Sequence, residues 1–408
     1  MTRFVGFAAL AALTLCSTAA SGAELPFDQI QAGRYQAVLG DCAGCHTLPG
    51  GAPFAGGVAL ATPFGKLVAP NITPDVETGV GGWSESDFRD AMKTGIGHNG
   101  VRLYPAMPYP AYTKMSDRDV GDLWAYLRSL QPVKNEIKSN LLPFPFNIRA
   151  VMIGWNWLNF TPGAFKADPN RSTEWNRGAY IVQGAGHCAT CHSPKTALGA
   201  NKASAFLGGA VLQDWLAPTI TNAPRVGLGG WSVDDVTAYL KTGANRFDIA
   251  SGPMAEVVTN STAKMTDADL RAIAVYLKDL PGEANKAVPV AADDPGMKAG
   301  AAVYADNCSA CHGLKGEGQP KLFPALAGSA LIQQADATSL IRVVLAGSQA
   351  AGTQAAPTTP AMPSLGWRLN DAQVADVLTY VRNMWGNAAT PVTPDAVGKL
   401  RKSLKSGS

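Results

Sequence analysis

The chain is poor in charge and has no excess of one sign. Charged residues make up 16% of its 408 positions, and 34 Lys and Arg against 31 Asp and Glu leave a formal net charge of +3. So small a balance argues against broad binding to nucleic acid. With 46% apolar residues there is still ample material for several cores, which excludes a disordered chain. Beyond residue 23 no stretch is apolar and long enough to be a membrane-spanning helix. Histidine is scarce at five, and seven cysteines leave little room for a disulfide framework. No nucleophile or acid–base constellation can be picked out, so the chain alone is not read as a catalyst.

The apolar run that does exist lies at the start. Arg3 supplies a positive opening, Phe4 to Leu15 an apolar core too short to span a bilayer, and Ser21-Gly22-Ala23 small residues before a cut at Glu24. Residues 1–23 are thus read as a signal peptide. Cys16 raises a lipoprotein alternative, but Leu15 precedes it where a small residue is usual. Removing the leader removes Cys16 and leaves six cysteines.

All six fall into one motif. Cys42-Ala43-Gly44-Cys45-His46, Cys188-Ala189-Thr190-Cys191-His192 and Cys308-Ser309-Ala310-Cys311-His312 repeat Cys-x-x-Cys-His. This is the pattern of c-type haem attachment. Two thiols add to the vinyl groups of one haem, and the next histidine binds its iron. A redox dithiol does not require a histidine after each second cysteine. One shared zinc suits three widely separated pairs poorly, and a disulfide across two residues is strained. Three covalently bound haem c groups are therefore expected.

Each motif sits inside a longer repeat. Short segments lead into it: Gly33 to Asp41, Gly178 to His187 and Gly300 to Asn307, with Tyr35, Tyr180 and Tyr304 recurring. Each unit closes on a helical pattern: Ser116 to Leu130, Thr266 to Leu280 and Asn370 to Trp385. Ser116, Thr266 and Asn370 are N-cap residues, with Asp119, Asp269 and Gln373 at the capping-box position. The first two units also share Ala69-Pro70-Asn71-Ile72-Thr73 with Ala217-Pro218-Thr219-Ile220-Thr221, and Gly81-Gly82-Trp83-Ser84 with Gly229-Gly230-Trp231-Ser232. The third unit lacks this insert. The domains expected are 27–135, 172–283 and 296–388, with an aromatic-rich segment over 136–171 and a basic tail over 389–408. The tail is read as solvated, and the aromatic segment as a strap over two domains or a contact surface for a partner or the membrane interface.

Methionine as the second axial ligand raises the potential of a haem and suits electron transfer. Met107, Met254 and Met362 each follow a motif, precede the closing helix and touch a proline. With His46, His192 and His312 they form the expected iron ligands. Met115 and Met265 directly precede helix caps and are read as packing residues. His98 and His187 are read as polar rather than ligating.

A first and a last helix packed together beside a haem resembles the class I cytochrome c fold, so the fold class expected is mainly α, with three tandem domains. The chain after the leader resembles the three-haem cytochrome subunit of bacterial membrane-associated dehydrogenases. Ala69-Pro70-Asn71-Ile72-Thr73-Pro74-Asp75, Leu103-Tyr104-Pro105-Ala106-Met107-Pro108-Tyr109-Pro110, Met254-Ala255-Glu256-Val257-Val258, and Tyr380-Val381-Arg382-Asn383 with Trp385-Gly386-Asn387 carry the likeness. It implies a large partner subunit of flavin, pyrroloquinoline quinone or molybdenum type, and ubiquinone or a terminal oxidase as acceptor. It also implies a periplasmic location with peripheral membrane contact. A stand-alone periplasmic shuttle and a haem peroxidase are the alternatives. One departure stands out: Ser193-Pro194-Lys195 follows the second motif where the family usually has Thr-Pro-Arg, which withdraws an arginine contact to haem there.

Overall fold

The computed structural model describes residues 26–284 and 286–406, together with Met1; the expected leader and Cys16 lie outside them. Helices dominate, and strands are short hairpins. The first unit runs α1 (Phe27–Leu39), α2 (Cys42–His46), the hairpin β1 (Ala59–Thr62) and β2 (Gly65–Val68), α3 (Glu85–Thr94), α4 (Tyr109–Tyr112) and α5 (Asp117–Ser129). Then β3 (Asn140–Leu141) pairs with β2, and α6 (Val151–Asn159) follows. The second unit repeats the plan: α7 (Thr173–Gln183), α8 (Ala189–His192), the hairpin β4 (Ala210–Leu212) and β5 (Trp215–Ala217), α9 (Val233–Thr242), α10 (Pro253–Asn260) and α11 (Asp267–Asp279). The third holds α12 (Pro295–Asn307), α13 (Ser309–His312), α14 (Thr338–Ala346), β6 (Ser348–Gln349) paired with β7 (Ala361–Met362), α15 (Asp371–Asn383) and α16 (Pro394–Ser406).

The first and last helices of each unit cross: α1 on α5, α7 on α11, α12 on α15. The same glycine permits each crossing. A Cβ on Gly33 would lie 1.8 Å from the Asp122 carbonyl oxygen, on Gly178 1.9 Å from that of Ala272, and on Gly300 2.2 Å from that of Asp376. The helices touch backbone to backbone, which only glycine allows. Around the first two crossings a continuous core forms, with Leu123, Leu127, Ile181, Val182, Leu270 and Leu277 among its members. The third unit has its own core around Leu340, Val374, Leu378 and Val381.

The caps behave as the sequence indicates. Ser116 Oγ accepts from Asp119 N at 3.1 Å, Thr266 Oγ1 from Asp269 N at 3.2 Å, and Asn370 Oδ1 from Gln373 N at 2.9 Å. Of these three, only Asn370 with Gln373 completes the reciprocal capping box. Asp119 and Asp269 each accept from a tyrosine of the other unit instead, beside a partner from their own. Tyr35 donates to Asp269 Oδ2 at 2.7 Å, and Tyr180 donates to Asp119. Arg177 adds a two-pronged pair with Asp269 at 2.7 and 2.8 Å. Of the three repeated tyrosines, Tyr35 and Tyr180 are thus bolts between units one and two. Two further full capping boxes form at Ser84 with Asp87 and Ser232 with Asp235, which explains the repeated Gly-Gly-Trp-Ser.

The C-terminal tail is not solvated. It folds as α16 against α14 and α15. Val397 and Leu400 are buried, and Arg401 Nε meets Asp371 Oδ1 at 2.7 Å. The apolar positions Val397, Leu400 and Leu404 fall on one face at helical spacing; the surrounding lysines masked that stripe.

Candidate haem sites

In every unit the motif forms a short helical turn, and its histidine makes the same bond. His46 Nδ1 lies 2.7 Å from the Pro70 carbonyl oxygen, His192 Nδ1 2.7 Å from that of Pro218, and His312 Nδ1 3.0 Å from that of Pro324. A carbonyl only accepts, so Nδ1 carries the proton and Nε2 presents its lone pair. Burial lowers the pKa of all three histidines, which keeps the imidazoles neutral. A neutral ring with its far nitrogen fixed by a backbone carbonyl is how a ligating histidine is oriented. The three proline carbonyls were missed in the sequence. Pro70 and Pro218 stand in the repeated Ala-Pro-x-Ile-Thr, but Pro324 follows its histidine by half the interval because the third unit lacks the hairpin.

The thiols are unlike those of a redox dithiol. Burial pushes Cys42 and Cys188 up to about 12, and Cys45 and Cys308 up to about 11. A reactive Cys-x-x-Cys lowers its thiol pKa instead. All six cysteines are unpaired. Among the described residues no cluster of three or more His, Cys, Asp or Glu suits a metal ion. The donor set in each unit, two unpaired thiols and one imidazole with Nε2 free, fits covalent haem c.

Met107 lies at the edge of the core of the first two units, Met254 stands in the first turn of α10, and Met362 sits in β7 beside the core of the third. All three are partly exposed, whereas Met115 and Met265 are 1% and 3% exposed within the core. His98 pairs with Asp87 at 3.0 Å and stacks on Trp83. Lys195, at the departure from the family pattern, folds back to the Thr190 carbonyl at 2.5 Å and ties down the end of α8.

The sites are close to one another. Helix α10, which carries Met254, packs on α2, the first attachment turn. In return, Tyr112 of α4 meets the ring of His187 edge-on at 5.7 Å, just before the second attachment turn. His187 Nε2 lies 3.1 Å from the Gly40 carbonyl oxygen, so its polar role is to bridge the two units. The other side of Met254 reaches the third unit. Its cluster includes Ala250, Val258 and Ala351, and Ala351 N donates to the Ala250 carbonyl at 3.2 Å. Arg225 clamps the same seam, 2.6 Å from Gln333 Oε1 and 2.8 Å from the Gly386 carbonyl.

Asp41 occupies the position in unit one that His187 holds in unit two, directly before the first cysteine, and both have positive φ, 44° and 36°. Its Oδ1 is buried without a hydrogen-bond partner. Burial, then the nearby Glu256 carboxylate, raise its pKa to about 7 from 3.8. The folded state therefore holds this proton more tightly than the unfolded chain. Stability from this group is full below pH 3.8 and falls as pH rises through 7. Asp41→Asn should gain on the wild type in melting temperature between about pH 4.5 and 7.5; a constant offset across that range would contradict this.

The cytochrome c family model matches residues 30–131, 176–281 and 297–385. The gluconate 2-dehydrogenase cytochrome c subunit of Pantoea cypripedii is 41% identical over 91% of this chain and 89% of its own length. The cytochrome c subunit of the quinone alcohol dehydrogenase of Gluconobacter oxydans is 38% identical over 91% of this chain and 82% of its own. The fructose dehydrogenase cytochrome subunit of Gluconobacter japonicus is 37% identical over 92% of this chain and 83% of its own. The chain belongs to the cytochrome c family, a mainly α-helical electron-transfer protein with covalently bound haem c.

Proposed function

We propose that the chain is a three-haem subunit that takes electrons from a partner dehydrogenase and delivers them, at the outer face of the cytoplasmic membrane, to a quinone or a terminal oxidase. The observation that carries the haem assignment is the threefold bond from histidine Nδ1 to a proline carbonyl. Cys42 with Cys45, Cys188 with Cys191, and Cys308 with Cys311 attach the haems. His46, His192 and His312 would hold the iron through Nε2, with Met107, Met254 and Met362 as its second ligands. Each haem c, when bound, supplies a one-electron iron couple. The protein's work is to fix tautomer and ring orientation through Pro70, Pro218 and Pro324. Unit two touches both neighbours, its attachment turn toward unit one and its methionine helix toward unit three, which supports it as the middle station.

The dehydrogenase reading rests on the named relatives, which are subunits of such enzymes. That the partner is of flavin, pyrroloquinoline quinone or molybdenum type is part of the proposal, carried over from the resemblance of the sequence motifs. The test is purification from native membranes in mild detergent. A co-purifying large chain whose substrate reduces all three haems supports the reading; a cytochrome that comes off alone, with no substrate-dependent reduction, favours a free shuttle. Haem count is tested separately. Cys308→Ser with Cys311→Ser should remove one of three haems per chain and leave the other two spectra unchanged; an unchanged haem-to-protein ratio would refute the third site.

A further inference from the structure

Helix α6 turns an apolar face outward. Of its two polar residues, Asn156 reaches inward, its Oδ1 accepting from Tyr109 at 2.6 Å, and Asn159 is half-buried and donates to the Trp155 carbonyl one turn back at 3.0 Å. Met152 and Trp155 are buried beside them, and Trp155 Nε1 reaches the Leu198 carbonyl of unit two at 2.8 Å. Its outward face is wholly apolar, with Val151, Ile153, Gly154, Trp157 and Leu158 exposed. Trp157 is 84% exposed and Phe144, just upstream, 79%. Phe146, Ile148 and Leu198 are exposed apolar side chains as well. Solvated helices show the opposite pattern, and a contiguous apolar patch of this kind marks a contact surface.

Charge identifies the occupant. Residues 137–167 contain no Asp or Glu, while Lys138, Arg149 and Lys166 are spaced along them. Lys66 of β2, paired opposite Leu141, adds an exposed cation. Apolar and tryptophan side chains on one face, in a segment that carries cations and no acid, match an anionic bilayer surface. Nine residues rise only about 13 Å, too short to cross, and no helix among the described residues is long and apolar enough to do so.

We propose that the α6 strap is an interfacial anchor, lying flat in the headgroup region of an anionic membrane with Ile153, Trp157 and Leu158 inserted. This deepens the peripheral-membrane part of the proposed function and does not depend on the dehydrogenase. The test uses the purified, haem-loaded full chain without any partner, sedimented with phosphatidylcholine vesicles with and without phosphatidylglycerol. The wild type should bind the anionic vesicles and release with salt. The triple variant Ile153→Ser, Trp157→Ser, Leu158→Ser should lose at least about tenfold in partitioning while keeping the wild-type haem spectrum and melting temperature. Trp367→Ser, which removes an equally exposed tryptophan from unit three, should bind like the wild type. Wild-type partitioning by the triple variant, or no vesicle binding by the wild type, overturns the proposal. So does a triple variant that binds vesicles normally but no longer co-purifies with a dehydrogenase, since the face then docks protein. Failure on vesicles leaves the dehydrogenase reading to be judged by co-purification alone.

Discussion

Gly178→Val is expected to abolish haem attachment in the second unit and to lower the melting temperature of the whole chain. Glycine inside a helix costs about 0.5–1 kcal/mol relative to alanine, so on propensity alone the substitution should help. Position decides otherwise. The new Cβ would fall 1.9 Å from the Ala272 carbonyl oxygen and 2.5 Å from its carbon. Both atoms belong to the backbone of α11, so no rotamer change relieves the overlap. Overpacking a core costs about 1–3 kcal/mol where side chains can yield; here the helices must part, and α7 leads within six residues into the attachment turn. Haem-to-protein ratio and thermal unfolding are the measurements. Gly178→Ala should show a milder form of the same defect. Gly230→Ala is the control, because nothing lies within 4 Å of its Cβ position. If Gly178→Val carried full haem at wild-type stability, the crossing would not be the constraint described.

Asp269→Ala should be the most damaging substitution at the seam between units one and two. It removes the acceptor of Tyr35 at 2.7 Å and both prongs of Arg177. Stripping one partner from a buried ion pair costs about 3–5 kcal/mol. The Arg177 side chain is 35% exposed, and water recovers part of that, so a loss of about 2 kcal/mol is expected. Denaturant unfolding measures it. Adding Arg177→Met should cost less than the sum of the two single changes, because the stranded guanidinium is gone. The counterpart Asp119 bonds only uncharged groups, Gln36 Nε2 at 2.9 Å and the Tyr180 hydroxyl. Asp119→Ala should therefore cost less, about 1 kcal/mol. Equal losses at the two aspartates would show that the charge adds nothing.

These effects mark where reading the sequence stops. The attachment motif is legible because its chemistry is local: two thiols and an imidazole must stand at fixed spacing. The closing helices are legible from their caps and apolar period. The Pro324 carbonyl is not, because a backbone acceptor leaves no side-chain signature and its distance from His312 changes with loop length. Nor are the roles of Tyr35, Tyr180, Asp119 and Asp269, which look like helix furniture within one unit and find their partners only across two. The apolar stripe Val397, Leu400, Leu404 was present to be read, but it is short and dense in lysine. The aromatic strap showed its composition, not the apolar face that α6 turns outward, since periodicity tells that a helix has two faces but not which one looks outward.

The exchange of tyrosines has one more consequence. Tyr35 reaches the cap of α11 as Tyr180 reaches the cap of α5, and Ser116 N and Thr266 N each donate to the incoming hydroxyl, at 2.9 and 3.1 Å. The same patch on each unit serves as both plug and socket, the arrangement of a twofold dimer, here fused into one chain. Such a contact closes on itself, and two units use it up. A third copy has no place on that axis. The third unit accordingly turns Tyr304 inward to the Gly313 carbonyl at 2.6 Å, among Tyr380 and Trp385, and joins through unrelated residues. The chain is then a closed pair with an appendage rather than a string of three equal beads.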